Sequence, residues 1–178
     1  MAPWLVVIDW QAVCGFDPAQ LQRVLLAELD NLMGGLSEHQ EDDRLAGLPA
    51  PLRVMWLLSW LDFEVTHGSL LAYFYNSHGR HAALAEQALR DIGAVQMADV
   101  LMRARQSVDA ENEQWAAQRA VLGLPHAVVR PYEGLPSGEA LVGLTDLYWA
   151  AADEEDWGDK LDTFLLTAVQ QEACRDDR

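Results

Sequence analysis

Glu64 and His67 stand three residues apart, the spacing at which a helix can offer a carboxylate and an imidazole to one metal ion. His78 and His81 follow a short way along. A carboxylate-bridged di-iron centre needs two Glu-x-x-His motifs and two further glutamates from other helices, and the chain holds one such pair. The expectation is therefore that Glu64 and His67 make structural hydrogen bonds at a helix end, with no metal and no cofactor. Nucleophilic chemistry has less to work with. Cys14 and Cys174 lie near opposite ends of the chain and read as reduced thiols. No Gly-x-Ser-x-Gly elbow, Walker loop or Gly-x-Gly-x-x-Gly stretch occurs. The chain reads as a non-enzyme, and a metal-dependent enzyme built on Glu64 and His67 ranks last.

Charge is the stronger signal. Twenty-eight Asp and Glu oppose twelve Lys and Arg, a formal net charge of −16. So negative a chain does not neutralise phosphates, which argues against direct nucleic-acid binding. From Asp146 to Arg178 there are ten acids against three bases. The candidate partner-binding residues are Asp153, Glu154, Glu155, Asp156, Asp159 and Asp162 in that block, with Glu41, Asp42 and Asp43 nearer the N-terminus. Glu155, Asp159 and Asp162 are expected to share one helix face at i, i+4, i+7, at roughly 5–6 Å spacing. Duplex DNA carries about one charge per 3.4 Å on each strand, so one such row is too sparse to imitate it. Two or three acidic segments would have to converge.

The elements that must carry these residues are helical. Asp17-Pro18 is a helix start; Leu21, Leu25, Leu29 and Leu32 form one stripe, and Gly34-Gly35 closes it. Ser37 to Asp43 reads as a polar loop. A dense apolar helix follows Pro49 and Pro51, with a break or bend at His67-Gly68. Trp56, Trp60, Tyr73, Phe74 and Tyr75 read as core. Two antiparallel helices meet at Gly93, and a separate helix runs from Asp109 to about Leu122. Gly123 to Gly143 reads as a long connection, and helix resumes at Leu144. Trp4 to Trp10 is the one strand candidate. With 51% hydrophobic residues, the expected fold is an all-α, single-domain helical bundle over 1–178. Residues 1–50 form an extension with one helix, and 51–178 form the core. No secretory signal or membrane-spanning stretch is visible, so a cytoplasmic protein with no membrane partner is expected.

The strings Leu61-Asp62-Phe63-Glu64-Val65-Thr66-His67-Gly68, Tyr73-Phe74-Tyr75-Asn76-Ser77-His78-Gly79 and Ala88-Leu89-Arg90-Asp91-Ile92-Gly93-Ala94 resemble a bacterial family, the one named for DNA-mimic protein 19. Its pattern runs Glu-x-x-Asn-Gly-Gly-Phe, then an aromatic pair before Asn-Ser-x-Gly, then a helix closing in Ile-Gly-Ala. The resemblance covers about two thirds of the chain and leaves residues 1–50 largely outside. The chain departs from the pattern at His67-Gly68-Ser69-Leu70 and at Ala72. Glu64, Gly68, Asn76 and Gly79 are retained and read as fold determinants. The resemblance implies an acidic, all-helical homodimer that imitates DNA charge and occupies a basic DNA-binding protein such as a transcription regulator. The alternative expectation is an immunity or antitoxin protein that plugs a partner toxin.

Overall fold

The computed structural model describes residues 8–76, 79–122 and 136–176. They form α1 (Trp10–Val13), α2 (Pro18–Met33), α3 (Glu38–Gly47), α4 (Ala50–Asn76), α5 (Ala82–Asp91), α6 (Val95–Leu122), α7 (Pro136–Glu155) and α8 (Trp157–Asp176). No strand occurs among the described residues, and the all-α expectation holds. The chain divides into two compact units, Met1–Ser59 with Trp157–Arg178, and Trp60–Asp156.

In the first unit, α1 and α2 pack on α8, and α3 packs on α2. The Leu21, Leu25, Leu29 and Leu32 stripe of α2 is buried, as are Leu161, Leu165 and Val169 of α8. Asp17 caps α2 by accepting from the Gln20 amide at 2.9 Å, and Gln20 Oε1 accepts from the Asp17 amide at 3.3 Å. That reciprocal pair satisfies two amides that the first turn otherwise leaves open.

Two expectations need correction here, and a third falls mostly outside the described residues. The Ser37 to Asp43 loop is helical from Glu38. The Ser37 amide and hydroxyl donate to Gln40 Oε1 at 3.0 and 2.8 Å, and Glu38 and Glu41 sit in the first turn, where the helix dipole favours acids. The first fifty residues thus carry α1, α2 and α3, not one helix. The strand candidate falls mostly on residues 1–7, outside the described residues. Its last residue, Trp10, opens α1 behind Asp9, whose carboxylate accepts from the Ala12 amide at 3.0 Å.

In the second unit, α5 packs on α6 and α6 on α7. The α5–α6 junction closes as the pattern suggested. Ala94 N–H donates to Leu89 C=O at 2.8 Å, and Gly93 N–H to Arg90 C=O at 3.0 Å. This is the Schellman pairing, with Gly93 at the left-handed position (φ 85°). The separate helix expected from Asp109 is instead the second half of α6, because no Gly or Pro interrupts Val95–Leu122. Gly123–Gly143 is divided: residues 123–135 lie outside the described residues, and α7 starts at Pro136, eight residues before Leu144.

The expected bend in α4 is a sharp break. Ser69 has φ 87° and ψ 172° inside an otherwise helical run. Glu64 and Asn76, twelve residues apart, nevertheless share a hydrogen bond of 2.6 Å. A straight helix would separate them by about 18 Å along its axis, so the break folds the end of α4 back on itself. It also removes the Leu70 amide from helical pairing. That buried N–H donates to Thr145 Oγ1 of α7 at 3.1 Å, and the Thr145 hydroxyl donates to Leu141 C=O at 2.8 Å. Two retained glycines serve the same corner. A Cβ at Gly68 would lie 2.5 Å from Ala72 Cβ, and one at Gly79 would lie 2.9 Å from the Phe74 ring.

Candidate partner-binding surface

The corner of α4 engages Glu64 and His67, two of the four residues whose types suggest metal chemistry. Glu64 is buried and accepts from Asn76 Nδ2. His67 Nδ1 lies 2.7 Å from Phe63 C=O; a carbonyl only accepts, so Nδ1 carries the proton and donates. Both side chains bond within α4, Glu64 to a side chain and His67 to a backbone carbonyl, and no cluster of three or more His, Cys, Asp or Glu suited to a metal occurs among the described residues. His78 lies outside the described residues, and His81 is buried next to α5.

Burial governs the titration of this region. Burial pushes the Asp62 carboxyl above its ordinary value, partly offset by the attraction of His67. Tyr73 and Tyr148 are raised above the usual phenol range, first by burial and then by the nearby charges of Glu64 and Asp62 respectively. Neither phenol ionises at neutral pH, and both serve as core.

The nine acids proposed from sequence separate into two groups. Glu155 points inward: its carboxylate accepts from the Met97 amide at 3.0 Å, in the first turn of α6. It is the side-chain cap of that helix. Asp162 accepts from Gln22 Nε2 of α2. Asp43 lies 3.7 Å from the His39 ring, both exposed, while Glu41 is half-buried and Asp42 exposed on α3. The remaining four, Asp153, Glu154, Asp156 and Asp159, are exposed and make no ion pair or hydrogen bond among the described residues.

The expected i, i+4, i+7 face does not form. Glu155 ends α7, Asp156 takes φ 47° between the helices, and Asp159 belongs to α8. Asp tolerates the left-handed conformation that closes a helix, so the helical run is interrupted within the acidic segment. The α6 acids are also partly committed. Asp109 pairs with Arg105 at 3.3 Å, and Arg105 with Glu86 of α5 at 3.0 Å. Glu86 also meets Arg90 at 3.4 Å, which reaches Asp99 at 2.8 Å. These bonds hold both guanidinium groups firmly protonated and tie α5 to α6.

Trp60, expected in the core, is instead part of an exposed set of rings. Trp60 and Phe63 stack at 6.2 Å, and Phe63 meets His67 at 4.3 Å. Phe63 is 53% exposed and Trp60 40%. The signal was present as aromatic rings at i, i+3, i+7, but the whole helix is so apolar that no face stands out. Tyr73 and Phe74 are buried as expected, while Tyr75 is exposed.

No helix of the described residues is long and apolar enough to cross a membrane. No curated protein and no solved structure matches the chain. The family model described as DMP19-like protein matches residues 46–168, which include the α4 corner, the Schellman junction and the Asp153–Asp156 run, and the chain belongs to that family.

Proposed function

We propose that this DMP19-like protein is a non-enzymatic acidic protein whose exposed carboxylates imitate DNA charge and block a basic nucleic-acid-binding protein, such as a transcription regulator. The supporting observation is local. Between Pro136 and Asp159 there are seven acids and no Lys or Arg, and Asp153, Glu154, Asp156 and Asp159 are exposed, without ion pairs among the described residues. Exposed carboxylates that no cation of the described residues neutralises can meet an external one. Family membership supports the same reading, since the family takes its name from a DNA mimic.

The test pairs the purified protein with basic DNA-binding regulators. Duplex DNA should displace it, and raising salt should weaken binding steeply, because exposed charges are screened within about 8–10 Å at 0.10–0.15 M ionic strength. Asp153→Asn, Glu154→Gln and Asp156→Asn together should reduce binding without lowering stability. Binding that DNA leaves intact, or that ignores the triple change, would refute the reading.

A further inference from the structure

The solvent side of α7 is patterned. Glu139, Asp146 and Asp153 are exposed and recur every seven residues. That repeat sets them about 10.5 Å apart along the helix axis, each turned about 20° from the last. Gly143 and Ala150 lie between them on the same side, both exposed, so the strip is shallow where it is not acidic. Val142 and Leu147 border it on opposite sides, 54% and 47% exposed. The opposite face of α7 is buried at Leu141, Leu144 and Tyr148. None of the three acids makes an ion pair or hydrogen bond among the described residues, and no Lys or Arg occurs from Pro136 to Asp159.

We propose that this strip receives a helix of a basic protein partner, laid nearly along α7 with Lys or Arg at seven-residue intervals against Glu139, Asp146 and Asp153. This rests on the reading above that the partner is basic. Spacing selects a helix. Two helices that cross at about 20° bring the same faces together every seven residues, which is the interval of these acids. An extended segment rises roughly 3.3 Å per residue and turns alternate side chains to one side, so its cations would fall about 6.6 Å apart, out of step with the strip. Relief selects the approach: the small residues Gly143 and Ala150 let a partner backbone come close between the acids. Composition selects the occupant. Three unneutralised carboxylates call for cations, and Val142 and Leu147 offer apolar surface to the side chains beside them. A basic amphipathic helix supplies both.

The experiment titrates two synthetic helical peptides of identical composition, alanine-rich with three arginines and flanking leucines, onto the full chain by calorimetry at low salt. In one the arginines recur every seven residues; in the other they recur every five, which scatters them around the helix. The seven-residue peptide should bind more tightly, and Asp146→Asn should weaken it by a factor of about 1.5 to 5, the effect of one exposed charge pair. Gly143→Gln is the decisive variant. It keeps every charge and suits a helix better than glycine, and a Cβ at Gly143 would meet no atom within 4 Å, yet its side chain stands in the strip. It should abolish the preference for the seven-residue peptide while circular dichroism shows the helical content retained. A preference that survives Gly143→Gln, or equal binding of the two peptides, overturns the inference and leaves the basic-partner reading intact. If neither peptide binds, both readings fail. If sedimentation shows self-association that Gly143→Gln disperses, a second copy covers the strip and the inference is wrong.

Discussion

Replacing Ser69 by glycine should stabilise this protein, an unusual direction for a change to glycine inside a helix. At φ 87° and ψ 172°, Ser69 occupies backbone space that is essentially reserved for glycine and costs a residue with a Cβ about 1–3 kcal/mol. The family pattern has glycine at this position. The Ser69 hydroxyl makes no hydrogen bond among the described residues, so its removal forfeits none. Against the relief stands the larger entropy of a glycine in the unfolded chain, about 0.5–1 kcal/mol. The balance favours Ser69→Gly by about 1 kcal/mol, or roughly 2–4 °C in Tm for a chain of this size. Urea denaturation followed by circular dichroism should show it as a higher midpoint at unchanged slope. Ser69→Ala is the control: it keeps the Cβ, hence the strain, and should stay within about 0.5 kcal/mol of the parent. If Ser69→Gly is no more stable than Ser69→Ala, the strain at this corner is not real.

The same corner makes two further predictions. Thr145→Val leaves the buried Leu70 amide without its acceptor and should cost about 1–3 kcal/mol, with hydrogen exchange accelerated at Leu70; unchanged exchange there would remove Thr145 from the account. Asp62 makes stability depend on pH. Its folded-state value lies above 3.8, so the folded protein holds this proton to higher pH than the unfolded chain does. The ionised form therefore weakens the fold above the folded value, and that penalty disappears as pH falls towards 3.8. Asp62→Asn should be at least as stable as the parent near pH 7, with the difference shrinking towards pH 4 in parallel urea titrations. A difference that grows on acidification would reverse the sign of the argument.

The residues that needed only their neighbours in the chain were readable in advance. Asp17-Pro18, the leucine stripe of α2, Gly34 and the Ile92-Gly93-Ala94 closure act through contacts within about five residues, and each appears where expected. Ser37-Glu38-His39-Gln40 was equally local. It is a capping arrangement with glutamine in the partner position, hidden beneath an acidic composition that reads as loop. Asp109 misled for the converse reason: an acid marks a helix start only where the preceding turn is not already helical.

Composition and local pattern thus determined an acidic all-α protein with a bend near Gly68, because periodicity, capping and turn chemistry are short-range effects. The fate of each acid was decided elsewhere. Glu155 meets an amide 58 residues away and Asp162 an amide side chain 140 residues away, whereas Asp153, Glu154 and Asp156 meet none among the described residues. Adjacent carboxylates of the same type became a helix cap and exposed charge because only the packing of distant helices determines which of them finds a donor.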